Sequence, residues 1–494
     1  MQQKIVCFET LGCRLNKSET EGAARYFREA GFTCTFGPLD KDFRDALCVV
    51  LCVVNTCTVT ARADKSSIYK LRALARRYPY VPVLATGCIC DLEQRLSAEL
   101  KPRVVVLPPA KKWLLKEIAH QLGQGELSAA DGSVDTAALR AFIQCSSSPT
   151  AGGATANEGA STQGNESHLP LQQTADEHFL LYTTHFETTS RASLKIQDGC
   201  DRECTFCAIR LARGKSTSLA PEEALRRTKQ IEEAGYAEVV LTGVNLSLYS
   251  GKNEERVLHL GELLEYLINN TTKIKFRLSS LYPEQITEEF CRVLQHPRVQ
   301  PFFHLSVQSL CDSVLAAMGR SYRKQDVIDA VSRLRQCKDN PFISCDMMVV
   351  FPTETTPDFR ETQQACQDLR FAWIHVFPFS PREGTSAKDL AKTKLMTKKT
   401  RTSWLWNIAC EGKVSYIRTC KDRVVDAIIE KPLVGVDGGE KTTWRALTDN
   451  YLHAVFQCDR ELARGEVVRL KIADPLEKNI QDGREEECLA QLVD

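Results

Sequence analysis

Apolar positions in the first 121 residues come in short runs separated by stretches of helical period. The runs Lys4–Glu9, Leu47–Val54, Val81–Thr86 and Arg103–Leu107 are rich in β-branched residues and too short for helices, so each reads as a strand. Strands alternating with helical stretches predict an α/β domain with a doubly wound parallel sheet. Between the first two strands, Ser18-Glu19-Thr20-Glu21 has the form of a capping box and predicts a helix start, with Gly31 as its stop.

A second alternating region runs from Arg191 to about Ala387. Its strand-like segments are Ser193–Gln197, Glu238–Thr242, Lys273–Ser279, Phe302–Val307, Ile343–Phe351 and Trp373–Pro378, and such a series of βα units predicts a partial (β/α)6 barrel. The helix after the first strand is marked by Pro221 at its start, Glu222 and Glu223 in its first turn, and Gly235 at its end. Beyond Cys420 the pattern shortens to alternating runs such as Tyr451–Phe456 and Val468–Ile472, which predict a small β-barrel. In the second run Arg469 and Lys471 share the face opposite Val468, Leu470 and Ile472; that face suits phosphates, with plain solvation as the alternative. Residues Ser146 to about Asp176 are small, polar and nearly uncharged, with too little apolar surface to offset the entropy of ordering them. The expected organisation is therefore an amino-terminal domain over 1–125, a linker over 126–190 disordered around 146–176, a barrel over 191–420 and a small β-barrel over 421–494.

The 494 residues exceed a single ordinary core, which agrees with several domains. The 64 basic and 63 acidic residues nearly cancel, so a nucleic-acid partner has to be argued from sites and not from net charge. The start from Met1 to Thr10 lacks a charged-then-apolar signal pattern, and the longest apolar run, Ala46 to Val54, falls well short of the roughly 20 residues of a bilayer span. These features predict a soluble, cytoplasmic chain with no membrane partner, whose 21 cysteines stay reduced.

The sharpest chemical signal is Cys200-Asp-Arg-Glu-Cys204-Thr-Phe-Cys207, just past the first barrel strand and so at the carboxyl edge where barrel active sites lie. Three thiolates at this spacing can hold three irons of a [4Fe–4S] cluster, leaving the fourth free to be chelated by an amine and a carboxylate. Zinc is the competing metal, but no Cys or His follows Cys207 at finger spacing to complete its four ligands. A metal-free buried trio fits poorly with Gly199 and the charged Asp201, Arg202 and Glu203, which indicate a loop. Nearer the amino terminus another trio, Cys13, Cys57 and Cys88, falls shortly after three strands of the amino-terminal domain. In a doubly wound sheet such loops converge on one crevice, so residues distant in sequence can meet there. Cys7, Cys48 and Cys52 lie inside strands and are assigned to the core, while Cys90, two residues from Cys88, is an alternative ligand.

Both trios together resemble the radical S-adenosylmethionine (AdoMet) methylthiotransferase family. The likeness extends to Ala212-Arg213-Gly214, Leu241-Thr242-Gly243-Val244-Asn245-Leu246, His304-Leu305-Ser306-Val307-Gln308-Ser309, Met318-Gly319-Arg320 and the run Phe377–Thr385, and covers nearly the whole chain apart from the linker. The chain departs from the family where Val350-Phe351-Pro352-Thr353-Glu354 stands for Gly-Phe-Pro-Gly-Glu, and where Lys215-Ser216-Thr217-Ser218 replaces basic residues. The resemblance implies two [4Fe–4S] clusters. The one at Cys200, Cys204 and Cys207 would cleave AdoMet to a 5′-deoxyadenosyl radical. The other, at Cys13, Cys57 and Cys88, would hold the sulfur, and a second AdoMet would supply the methyl group. It also implies a carboxy-terminal TRAM-like barrel that grips RNA. Phe206, Thr242, Gly243, Asn245, Ser279 and Gln308, which lie in the cluster loop or at strand ends, are the candidate AdoMet contacts; local packing or turn capping is their plainer role.

The Thr-Leu-Gly-Cys-Arg-Leu-Asn start and the Leu-Thr-Gly-Val-Asn-Leu segment look most like the branch acting on N6-threonylcarbamoyladenosine at position 37 of tRNA. Implied partners are AdoMet, the tRNA anticodon stem-loop and an electron donor such as flavodoxin or ferredoxin. Alternatives are the isopentenyladenosine branch, the branch acting on a ribosomal-protein aspartate, and a non-catalytic iron–sulfur RNA-binding redox sensor.

Overall fold

The computed structural model describes residues 4–39, 48–89, 92–146, 175–254, 256–390, 395–433 and 442–493. Cys90 and most of the expected disordered stretch, residues 147–174, lie outside them. The chain divides into two units: Met1–His185 with Asp198–Asp201 and Ala208–Leu219 form one, and the remaining residues form the other.

In the first unit, strands β1 (Ile5–Thr10), β2 (Thr33–Phe36), β3 (Val49–Thr56), β4 (Val83–Gly87) and β5 (Val104–Val106) pair in the order β2-β1-β3-β4-β5, all parallel. The expected doubly wound sheet is present, and its direction of winding switches between β1 and β3. Sequence reading passed over β2, whose Thr-Cys-Thr-Phe run is too short and polar to stand out. Helix α1 (Arg14–Glu29) packs Ala23, Ala24 and Phe27 into one core, and α2 (Ala61–Arg77) packs Leu71 and Leu74 into the other.

Two sequence expectations need correcting here. Helix α1 starts at Arg14, with Cys13 as its extended N-cap, so the Ser18–Glu21 capping pattern lies inside the helix. Glu19 and Glu21 are buried there instead of capping; Glu19 takes a 2.6 Å ion pair from Lys112. The expected linker also starts too early. After α3 (Leu114–Gln124), residues Leu127, Val134, Leu139 and Ile143 are buried in the first unit's core, the last two on helix α4 (Thr136–Cys145). Leu139 and Ile143 are one helical turn apart, and together they supply the apolar stripe that makes this segment part of a domain.

In the second unit, β6 (Ala192–Lys195), β7 (Glu238–Thr242) and β8 (Lys275–Leu278) pair side by side in parallel. Strands β9 (Phe302–Gln308), β10 (Phe342–Val349) and β11 (Trp373–Pro378) form a second parallel sheet, with Ser280–Leu281 pairing to β9 at its edge. Helix α5 (Pro221–Glu233) has Pro221 in its first turn and Gly235 just past its end, as its sequence markers predict. Helices α6 (Leu260–Asn269), α7 (Lys324–Cys337) and α8 (Thr356–Leu369) follow the next strands, and α9 (Leu395–Cys420) leads out of the partial barrel. Strands β12 (Val424–Pro432), β13 (Thr442–Thr448), β14 (His453–Cys458), β15 (Val467–Pro475) and β16 (Cys488–Val493) then close a small barrel in the order β12-β13-β14-β16-β15. Along β15, Val468, Leu470 and Ile472 point inward, and Arg469 and Lys471 outward as the alternation predicts; Lys471 is paired to Asp422 at 2.8 Å.

The two barrels share a core in which Tyr451 stacks on Phe302 with ring centroids 4.0 Å apart. Beside it, Glu238 accepts from Arg277 at 2.7 and 2.8 Å, from Arg191 at 3.2 Å and from Gln300 at 2.8 Å. Burial acts to lift the Glu238 carboxyl, but Arg277 and Arg191 outweigh it and hold it at about 2, against an ordinary 4.5. A depressed carboxyl stabilises the fold above its unfolded value and loses that contribution as pH falls from about 4.5 towards 2. Arg277→Met leaves this carboxylate buried with its main partner gone, and is expected to cost about 3–5 kcal/mol. The measurement is the second unit's urea midpoint, and the deficit should shrink at pH 3, where Glu238 of the variant takes up a proton.

Candidate functional site: two trios of thiols at strand ends

Cys13 follows β1, Cys57 follows β3 and Cys88 follows β4, and the parallel register brings these strand ends to one edge: Thr10 pairs with Asn55 and Thr56 with Gly87. Backbone bonds then stitch the loops together. Leu11 donates to the Asn55 carbonyl at 2.9 Å, and Cys88 to the Thr56 carbonyl at 3.1 Å. Gly12 (φ +93°) is indispensable to this packing, since a Cβ there would lie 2.5 Å from the Cys57 Sγ. Asn16 sits at the centre. Its Nδ2 donates to the carbonyls of Leu11 and Thr56, both at 2.9 Å, and the Cys88 thiol lies 3.9 Å from its Oδ1. One side chain thus fixes all three cysteine loops.

Cys57 and Cys88 are buried, whereas Cys13, at the N-terminus of α1, is exposed. Burial pushes the Cys57 thiol up to about 11, and the nearby Cys88 and Cys13 add to the rise. Three thiolates gathered at one edge repel one another, and a cluster or metal supplies the positive charge that offsets this repulsion. Among the described residues no three His, Cys, Asp or Glu converge on a single ion. An iron cube makes no such demand, because each thiolate binds a different iron.

The second trio lies on the loop after β6. Cys200 donates its amide to the Gly214 carbonyl at 3.0 Å, in the first unit, beside Gly199 (φ +67°), whose Cβ would strike the Lys215 carbonyl oxygen at 1.8 Å. Cys204 and Cys207 belong to the second unit, where Cys207 donates to the Cys204 carbonyl at 3.1 Å and Thr205 to the Met318 carbonyl at 3.0 Å. Gly319 (φ +70°) supports this turn: a Cβ there would come 3.0 Å from the Glu203 carbonyl oxygen. All three cysteines are half-buried, and none forms a disulfide among the described residues.

The candidate AdoMet contacts divide into two groups. Ser279 and Gln308, at the ends of their strands, each have a buried oxygen with no hydrogen-bond partner among the described residues, and Gln308 has a left-handed backbone (φ +68°). Unpaired buried acceptors of this kind are rare unless a ligand meets them. Phe206 packs edge-on to Phe351 and under the guanidinium of Arg320 at 5.5 Å. The other three serve the strand edge itself. The Thr242 carbonyl accepts from Ile196, Gly243 abuts the Gln197 side chain, and Asn245 caps the turn at Leu246–Leu248 through a 3.1 Å bond to Ser247. Sequence reading missed Arg320 and Gln197 as members of this edge. Arg320 is buried over Phe206, Tyr282 and Tyr322, and its Nε and Nη1 have no hydrogen-bond partner among the described residues.

The departure at Val350 falls on a turn of the kind that favours glycine. Val350 takes a left-handed conformation (φ +57°), its amide donating to Glu354 Oε2 at 2.7 Å, and Glu354 is itself paired to Arg401. A β-branched residue is costly there, by roughly 1–2 kcal/mol, so the turn is enforced by its surroundings.

Residues 194–366 match the Radical SAM superfamily, and residues 5–107 match an uncharacterized protein family, UPF0004. Over 90% of its length the chain is 37% identical to the threonylcarbamoyladenosine tRNA methylthiotransferase MtaB of Treponema pallidum, covering 93% of that protein. The chain belongs to the radical AdoMet methylthiotransferase family. The corresponding Bacillus subtilis methylthiotransferase is 29% identical over 94% of the chain and 93% of its own length. The fold is shared with TsrM, a radical AdoMet methyltransferase of Kitasatospora setae solved with cobalamin and a [4Fe–4S] cluster, at a TM-score of 0.50 and 15% identity, covering 78% of this chain and 77% of that one. For a methylthiotransferase of this family one [4Fe–4S] cluster and AdoMet are the working cofactors, and the half-buried loop of Cys200, Cys204 and Cys207 has the donors a cluster needs.

Proposed function

We infer that the chain is a tRNA methylthiotransferase that places a methylthio group on C2 of N6-threonylcarbamoyladenosine 37. The observation that carries this reading is the end-to-end similarity to the Treponema pallidum protein, whose name states that substrate. Cys200, Cys204 and Cys207 hold the cluster that binds AdoMet, and Cys13, Cys57 and Cys88 hold a second one. When bound, the first supplies the electron that makes a 5′-deoxyadenosyl radical from AdoMet, and the second supplies the sulfur.

The protein's own part is to hold and shield. Gly319 and Met318 support the Cys204 turn from below, and Phe206, Ser279 and Gln308 contact AdoMet, with Thr242, Gly243 and Asn245 shaping the same edge. Arg320 places a buried positive charge near the Cys204 sulfur. The carboxy-terminal barrel grips the anticodon stem-loop backbone, with Arg469 on its outer face, where shape and phosphate contacts dominate. The electron donor is a low-potential carrier such as flavodoxin or ferredoxin, and the setting is the cytoplasm; among the described residues no helix is long and apolar enough to cross a membrane.

The test is mass spectrometry of tRNA nucleosides from a strain lacking this gene. Loss of the methylthio group from the threonylcarbamoyl nucleoside alone is expected. Loss from the isopentenyl nucleoside, or an unchanged profile, overturns the substrate assignment.

A further inference from the structure

The first unit contains a buried charged knot that the reaction as described leaves unused. Arg213, from the short helix Ile209–Arg213 behind the Cys200 loop, makes a set of side-chain bonds there. Its Nη1 donates to Glu19 at 2.8 Å and to Asp198 at 3.0 Å, and its Nη2 to Asn16 Oδ1 at 2.8 Å and to Glu19 at 3.1 Å. The next residue, Gly214, accepts the amide of Cys200. Asn16, on the other side, is the residue that ties down the loops of Cys13, Cys57 and Cys88. One guanidinium therefore runs from the backbone that holds Cys200 to the side chain that holds the other trio.

We propose that Arg213 is a positioning residue for the centre held by Cys13, Cys57 and Cys88, fastening its loops to the Cys200 segment and raising its reduction potential. The inference rests on the two-cluster reading. Charge sets the sign. Arg213 and Lys112 both face Glu19, and Arg213 also faces Asp198, on which His178 lies at 3.2 Å. Reduction adds an electron to a site already ligated by thiolates, and a nearby buried cation favours that added charge. Removing the guanidinium subtracts the cation and strands a carboxylate beside the site, and both changes disfavour reduction. Lysine keeps the charge but lacks the planar fork that reaches Asn16, Glu19 and Asp198 together.

The experiment uses the full-length Cys200→Ala/Cys204→Ala/Cys207→Ala protein, reconstituted anaerobically so that only the first trio can carry a cluster. Its midpoint potential is read by electron paramagnetic resonance during redox titration, alone and with Arg213→Gln or Arg213→Lys added. Arg213→Gln is expected to make reduction about tenfold less favourable, which for a one-electron couple is about 59 mV downward; Arg213→Lys should recover most of that shift. Because Arg213→Gln leaves buried charge unpaired, cluster retention is scored as well: loss in Arg213→Gln with retention in Arg213→Lys also supports the charge role. An unmoved potential in both variants, or loss of the cluster from both, overturns the inference. A parent protein that binds no cluster overturns the two-cluster reading and this inference with it.

Discussion

Alanine at Cys204 should abolish both release of 5′-deoxyadenosine and methylthio transfer, a loss of about 10³-fold or more in each, or at least about 4 kcal/mol of transition-state stabilisation. The carbon to be modified has no acidic proton and no leaving group, so no polar route in the protein can substitute for the radical. The backbone explains why the effect should be chemical and not a matter of folding. The turn at Cys204 is held by Thr205 to the Met318 carbonyl and by its fit on Gly319, and neither contact uses the Cys204 side chain. The variant should therefore keep its thermal midpoint and the iron of the first trio. Anaerobic assay of 5′-deoxyadenosine by chromatography, with iron counted in the same sample, checks both halves.

Alanine at Cys57 is expected to separate the two activities. Methylthio transfer should fall by about 10³-fold, while 5′-deoxyadenosine release stays within severalfold of the parent. The Cys57 thiol is buried against Gly12 and beside Cys88 and Cys13, and the backbone bonds that hold Cys200, Thr205 and Cys207 run to Gly214, Met318 and Cys204. Losing one sulfur from that packed position costs about 1 kcal/mol of stability, too little to unfold the first unit. Should 5′-deoxyadenosine release disappear along with transfer, the two trios cannot have the separate duties assigned to them.

Much of this architecture can be read from residue pattern, because the elements that matter are strongly punctuated. Strands β3, β4 and β7 are runs of valine and leucine that no helix period explains, and α5 declares itself by Pro221, Glu222, Glu223 and Gly235. The six cysteines stand out in the sequence for a different reason: Cys13, Cys57 and Cys88 follow strand ends, and Cys200, Cys204 and Cys207 share one short loop after β6. The failures are equally physical. The Ser18–Glu21 pattern satisfies the capping rule, yet Glu19 is taken instead by Lys112 and Arg213, partners 93 and 194 residues away that no local rule can foresee. The helix at Thr136–Cys145 was lost in a polar neighbourhood because its apolar stripe is only Leu139 and Ile143, with Phe142 packed alongside. Asn16 offers a faint signal in retrospect, standing three residues beyond Cys13 on the first turn of α1, where it reaches back to the loop carbonyls. Arg213 and Arg320 stand in two of the stretches that carry the family likeness, but their roles were not legible there, since a buried guanidinium is understood only once its partners are known.

The central claim is that two groups of three thiolates each carry an iron cube. Iron and acid-labile sulfide counted per chain in anaerobically purified protein test it most directly: about eight of each are expected in the parent and about four after Cys57→Ala. Zinc in place of iron, or a parent that never exceeds about four iron per chain after full reconstitution, would contradict it.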